Sequence, residues 1–264
     1  MKDFKKTICL ILIYSLLCSG TAEEISAHSN YSTKSVDWGL GLRKDHQTPG
    51  GTVPWNGFSL KKHNTIYTGN TNKKYIYLTF DCGYENGLTK RILDTLKKKK
   101  VHAIFFVTKP YIESNAKLVK RMKKEGHLVG NHTATHPRLS NCSASKIRSE
   151  LKSVEKSMKQ KTGYKIDKFV RPPEGNYNQL ALKVMQNMGY TTVLWSLAWY
   201  DYDTSNQPSV DYVLGRFKSY YHKGMIPLLH AISSADTEAL PKIIKYMKSK
   251  KYEFKTLDTI KIKK

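Results

Sequence analysis

Tyr75-Ile76-Tyr77-Leu78-Thr79-Phe80-Asp81-Cys82-Gly83 is an apolar run of strand length that stops abruptly in an acid, a thiol and a glycine. The next stretch, Gly87 to Lys100, places Leu88, Ile92 and Leu96 at i, i+4 and i+8, the period of a helix with one buried face. Ala103 to Val107 is then a second strand-length apolar run. Strand, helix, strand over some thirty residues is the unit of a parallel α/β fold, because parallel neighbours need a crossover. The alternation continues, with strands read at Leu128 to Gly130, Phe169 to Arg171, Thr192 to Ser196 and Met225 to His230. Helices are read at Ala116 to Glu125, Ala144 to Lys161, Asn178 to Met188, Val210 to Tyr221 and Thr237 to Lys250, the last leading to Tyr252 to Leu257. Ile147, Leu151, Val154 and Met158 form a stripe in the longest, and Gly126, Gly163 and Gly189 stand where helix C-caps are expected. Six or seven such units make either a barrel or an open doubly wound sheet, and both put chemistry at the C-terminal ends of strands. No glycine-rich phosphate loop follows the first strand, which disfavours a nucleotide enzyme.

Polar clusters fall at those ends: Asp81-Cys82-Gly83, His132-Thr133-Ala134-Thr135-His136-Pro137, Arg171-Pro172-Pro173, Asp201 and His230. A single helical turn would aim His132 and His136 at one point, although Pro137 disfavours helix at His136. The pair suits a metal only if a third ligand joins it, and Cys82 is placed for that; its other reading is a small buried hydrophobe.

Outward from this core, residues 23–73 are rich in Ser, Thr, Asn, Gly and His and show no sustained period, which reads as an arm wrapping a domain at 74–264. At the start, Lys2, Lys5 and Lys6 precede the apolar run Ile8 to Leu17 and the small residues Gly20-Thr21-Ala22. That is the pattern of a secretory signal over 1–22, too short for a confident membrane span, with an uncleaved anchor as the alternative. Cys9 and Cys18 would leave with it, so Cys82 and Cys142 imply no disulfide framework. The 264 residues carry 45 Lys+Arg against 21 Asp+Glu, a formal +24, and 42 against 20 (+22) once residues 1–22 are removed. Export makes nucleic acid an improbable partner and makes the anionic polymers of a Gram-positive wall the natural counter-charge. A merely soluble lysine-rich surface explains the charge equally well. A monomer is the expectation.

Taken together, Thr79-Phe80-Asp81-Cys82-Gly83, His132 to Pro137, Arg171-Pro172-Pro173-Glu174-Gly175, Asp201-Tyr202 and Leu228-Leu229-His230 resemble, in order and spacing, the polysaccharide deacetylases (carbohydrate esterase family 4, the NodB-homology enzymes). Trp38-Gly39, Asp45-His46-Gln47, Tyr67 to Thr71 and Gly83-Tyr84-Glu85-Asn86-Gly87 resemble, more narrowly, the branch that deacetylates N-acetylmuramic acid during muramic-δ-lactam formation in spore cortex.

The resemblance implies a distorted (β/α) barrel with an open groove. It assigns Asp81 as general base toward the attacking water, Arg171 as the residue that keeps this carboxylate ionised, and His132 and His136 as metal ligands. His230 matches the general acid to the leaving amine, with Asp201 orienting it; a backbone N–H at Glu174 in the Arg171 to Gly175 turn matches the oxyanion donor. Leu228 would wall the acetyl pocket, and Tyr84 and Tyr202 would touch sugar. Trp55, Tyr177 and Trp199 are further aromatics that either stack on sugar or pack in the core.

Three departures from the family pattern stand out. Cys82 replaces a usual second Asp, and a Cys-His-His set would favour zinc. Ala198 stands where the fourth motif usually begins with Asp. Glu174 stands where Tyr is common, an odd neighbour for a lactyl carboxylate. The expected function is removal of acetate from N-acetylmuramic acid in peptidoglycan glycan strands. The alternatives are the same chemistry on N-acetylglucosamine, in peptidoglycan or chitin-like oligomers, and a non-catalytic wall-binding protein.

Overall fold

The computed structural model describes residues 30–41, 45–54 and 57–261. The expected signal segment, with Cys9 and Cys18, and Trp55 lie outside these. Seven parallel strands form one curled sheet: β1 (Thr65–Ile66), β2 (Thr79–Cys82), β3 (Ile104–Val107), β4 (Leu128–Asn131), β5 (Phe169–Val170), β6 (Thr191–Val193) and β7 (Leu228–His230). Their order is β7-β2-β3-β4-β5-β6-β1. The two ends of the sheet approach each other beyond β6, where the Ser196 N–H donates to the Ile226 carbonyl and the Leu228 N–H to the Leu197 carbonyl. The result is a distorted barrel, which decides between the two architectures left open by periodicity.

The helices cover the outside: α1 (Thr89–Lys99), α2 (Lys109–Ser114), α3 (Ala116–Lys124), α4 (Ala144–Thr162), α5 (Gln179–Asn187), α6 (Val210–Tyr220) and α7 (Ser234–Ser249). In α4, Ser143 caps the N-terminus by accepting from the Lys146 N–H, and Gly163 ends the helix at φ 81°. Its stripe of Ile147, Leu151, Val154 and Met158 is fully buried, worth on the order of 2 kcal/mol per side chain. β3, whose four residues Ile104–Val107 are all buried, is a strand covered on both faces, as parallel sheets require.

Two expectations need correction. The strand expected at Tyr75 to Phe80 is two: Tyr75–Ile76 pairs with Glu253–Phe254, and only Thr79 onward enters the barrel. The boundary expected at residue 73 does not separate arm from domain, because Thr65–Ile66 is a barrel strand paired with β6. A two-residue strand in a polar context carries too little pattern to be read. The remainder of the lead-in packs on the barrel mouth: Val36–Asp37 pairs with Asn176–Tyr177, and the Trp38 indole N–H donates to the Trp195 carbonyl.

Candidate active site

Asp81 ends β2, His132 follows β4, Arg171 follows β5, Asp201 lies on the loop after β6 and His230 ends β7, so one barrel rim gathers them. Arg171 is wholly buried. Its Nη1 donates to Asp81 Oδ1 at 2.7 Å, its Nε to the Val193 carbonyl at 3.2 Å, and its guanidinium lies 4.4 Å from the centre of the Phe106 ring. Burial alone would push the Asp81 carboxyl up; the Arg171 charge, aided by His132 and His230, outweighs it and holds the group below the usual carboxylate range. Asp81 is therefore a buried carboxylate that stays ionised.

His132 Nδ1 faces the Arg171 carbonyl at 2.9 Å, and a carbonyl only accepts, so the proton sits on Nδ1. Burial pushes this imidazole down to about 4, so it is neutral at pH 7. Its Nε2 lone pair then faces Asp81 Oδ2 at 3.5 Å, two acceptors opposed with no proton between them. The His136 ring is 5.0 Å from that of His132, centre to centre. No helical turn brings them together. Residues 132–136 form a loop with Thr133 and His136 in the left-handed region, at φ 67° and 55°. Buried Glu150 of α4 accepts from the Ala134 and Thr135 N–H groups and from the Thr135 hydroxyl, while Thr133 Oγ1 accepts from the His136 N–H.

Cys82 does not join the histidines. Side chains alternate along β2, so the face that carries Asp81 into the barrel sends Cys82 outward. There the thiol is fully buried beside the Tyr111 hydroxyl, and burial, with the charges of Asp81 and Glu85, pushes it well above its ordinary value. The two imidazoles, with an electron-rich gap between His132 and Asp81, do fit a divalent cation. Among the described residues no three His, Cys, Asp or Glu gather closely enough to hold one. Cys82 and Cys142 are both free thiols.

On the neighbouring strand β7, where His230 is in register with Asp81, His230 Nδ1–H donates to Asp201 Oδ1 at 2.6 Å, and the His230 backbone N–H to Asp201 Oδ2 at 2.8 Å. Burial works against the imidazolium, but the Asp201 hydrogen bond and charge, with that of Asp81, raise His230 above its ordinary value. Leu228, two residues before His230 on the same strand face, is buried yet belongs to neither packed hydrophobic cluster. The Pro173–Gly175 turn closes the rim: Glu174 has φ 57° and Gly175 φ 64°, and a Cβ on Gly175 would lie 2.6 Å from the Trp195 ring. Glu174 is paired with Arg138 at 2.5 Å, and Arg138 also binds Asp37.

Tyr84 and Tyr202 are about half exposed at the rim, as is Tyr200, whose ring lies 4.3 Å from that of Tyr202 and which sequence reading passed over. Tyr177 and Trp199, the other expected stackers, are core residues. Asp236, Glu150 and Arg138 were also missed. Glu150 sits inside a helical pattern that accounts for it, Asp236 falls just before the helix read from Thr237, and Arg138 is one basic residue among many.

Residues 68–193 match the sequence model for polysaccharide deacetylase. The chain is 38% identical to the peptidoglycan-N-acetylmuramic acid deacetylase PdaA of Bacillus subtilis, over 98% of this chain and 97% of that one. Over 78% of this chain and 75% of the relative it is 32% identical to a peptidoglycan-N-acetylglucosamine deacetylase of Bacillus cereus. The solved structure of B. subtilis PdaA, a family 4 carbohydrate esterase, superposes with a TM-score of 0.82 at 39% identity, covering 87% of this chain and 97% of that one. Deacetylases of this family are in general metal-dependent. The curled parallel barrel, the rim that unites Asp81, Arg171, His132 and His230, and these likenesses, one of them over 98% of the chain, together establish that the chain belongs to the polysaccharide deacetylase family, hydrolases of the N-acetyl amide bond.

Proposed function

We propose that this protein removes acetate from N-acetylmuramic acid in peptidoglycan glycan strands, outside the cytoplasm. The observation that carries the reading is the pair side by side at the rim: a carboxylate held ionised by a buried arginine, and in register with it an imidazole hydrogen-bonded to a buried aspartate. With a glycan N-acetyl group between them, Asp81 takes a proton from the attacking water as its oxygen bonds to the acetyl carbon. Arg171 prevents Asp81 from relaxing to the neutral acid and fixes which oxygen faces the substrate. A backbone N–H at Glu174 is our assignment for the oxyanion donor. As the carbon–nitrogen bond breaks, His230 passes its Nε2 proton to the departing amine, and acetate leaves; Asp201 stabilises the imidazolium until that moment. Leu228 walls the acetyl methyl, and Tyr84, Tyr200 and Tyr202 offer ring faces to neighbouring sugars.

His132 and His136 are the residues that would hold a divalent ion. Such an ion, when bound, supplies electrophilic polarisation of the acetyl carbonyl and a more acidic water. Without a thiolate the original reason for zinc is gone, but two imidazole donors still suit it, and zinc is the ion we expect.

Glu174 does not confront the lactyl carboxylate alone, because Arg138 is bound to it. The freed amine then lies within the same sugar as that carboxyl, where ring closure gives the δ-lactam of spore cortex. N-acetylglucosamine is the second reading, favoured by the likeness to the B. cereus enzyme. Peptide-free strands incubated with the zinc-loaded chain, then digested and weighed by mass spectrometry, separate the two: acetyl loss mapped to muramic acid supports the proposal, and loss confined to glucosamine overturns it.

A further inference from the structure

Behind Asp201 lies a second buried carboxyl, Asp236 at the start of α7, and only 2% of it is exposed. The sequence Ser233-x-x-Asp236 has the spacing of a capping box, in which the acid would reach back to the N-cap backbone N–H. Half of that box forms. Ser233 Oγ accepts from the Asp236 N–H at 3.1 Å, but the Ser233 N–H donates instead to the His230 carbonyl. The Asp236 carboxyl is thereby released from the helix end and turns toward the site. Its Oδ1 accepts from the Trp199 indole N–H at 3.1 Å. Its Oδ2 is buried, receives no hydrogen bond among the described residues, and the carboxyl lies within hydrogen-bonding reach of Asp201.

Two buried carboxyl groups in contact cannot both be ionised at acceptable cost. Asp201 already accepts two hydrogen bonds from His230 and is the better anion. We infer that Asp236 is a positioning residue for the general acid: as a neutral carboxylic acid it donates its Oδ2–H to Asp201 and fixes the carboxylate that orients His230. An oxygen that gives its proton away needs no donor, which accounts for the orphaned Oδ2. Burial first, then the Asp201 charge, hold the Asp236 carboxyl well above its ordinary range, in agreement with that state. The titratable or charged groups acting on the unit are Asp201 and His230, with Asp81 and Arg171 beyond them; Trp199 and Ser233 are its neutral neighbours. The motif reading had placed Ala198 where the family usually carries an acid, and Asp236 supplies a carboxyl to the same neighbourhood from a different element.

The inference rests on His230 acting as the acid, so one readout must not depend on turnover. Difference infrared spectroscopy of the wild type and Asp236→Asn at neutral pH should show a buried protonated carboxylic acid that is absent from the variant. In acetate release from peptide-free strands, Asp236→Ala should lower kcat roughly tenfold with KM unchanged, because the lost bond serves Asp201 and not the substrate. It should also move the basic limb of the pH profile upward, since Asp201 without its donor binds the His230 imidazolium more strongly and His230 keeps its proton longer. Asp236→Asn can accept from Trp199 and donate to Asp201, and should restore most of the rate with the basic limb back within about half a unit. A basic limb that moves down in Asp236→Asn would mean that a negative charge had been removed and would overturn the inference, as would absence of the infrared band or a full rate in Asp236→Ala. If Asp236→Ala does not fold, the band and the Asp236→Asn profile decide the matter.

Discussion

Replacing Arg171 by Met tests the electrostatic centre of the site through stability alone. Arg171 is fully buried, and its Nη1 lies 2.7 Å from a buried Asp81. Met keeps contact with the Phe106 ring but leaves Asp81 without its counter-charge and the Val193 carbonyl without its donor. Breaking a buried pair from one side costs about 3–5 kcal/mol, a large part of the stability of a single domain. The pH dependence follows from the sign of the shift. In the wild type the folded Asp81 is depressed, so its contribution is complete above the ordinary carboxylate range and is lost as pH falls through the lower folded value. In the variant, burial is no longer outweighed and Asp81 rises above its unfolded value, so it destabilises at neutral pH and recovers as it protonates. The gap between the two proteins should therefore shrink by roughly 1–2 kcal/mol between pH 7 and pH 5. Urea unfolding of both chains at the two pH values, in chelator so that no ion contributes, measures it. Arg171→Lys, which keeps the charge and loses the fork, should fall between them. A loss below about 1 kcal/mol at pH 7, or a gap that widens at pH 5, would refute the reasoning.

Cys82→Ala should leave acetate release and metal affinity unchanged and cost about 1 kcal/mol of stability, and native Cys82 should resist alkylation until the chain unfolds; loss of metal binding would restore the thiol as a ligand. Glu150→Ala should loosen the 132–136 loop, lowering metal affinity by tenfold or more without touching the ion, which titration of the purified chain with zinc would show. Chelation should abolish activity and added zinc should restore it fully, if His132 and His136 hold the ion as proposed; activity that persists in chelator would contradict this. His230→Ala should lower kcat by roughly 10²–10⁴ and remove the basic limb of the pH profile.

The strand-end positions were legible because each βα unit repeats one grammar, apolar strand, polar stop, amphipathic helix, and the stops are where chemistry collects. In the sequence Cys82 stands open between a metal ligand and a small buried hydrophobe; strand alternation, which turns adjacent residues to opposite faces, already favours the second. The HxxxH spacing suggested a helical turn, whereas the rings meet through a loop with left-handed Thr133 and His136, held at Ala134 and Thr135 by Glu150, a contact between segments about 15 residues apart that no local period reveals. Thr65–Ile66 escaped notice because its strand character comes only from β6. Asp236 escaped notice because it lies just before the helix read from Thr237 and ends no strand.

The central claim is that Asp81, held by Arg171, drives loss of acetate from muramic acid. Peptide-free strands carrying an isotope label only in the muramic N-acetyl groups, incubated with the zinc-loaded chain and followed by NMR, should release labelled acetate, and Asp81→Asn should stop it. Release of unlabelled acetate alone, or equal release of label by Asp81→Asn, would contradict the account.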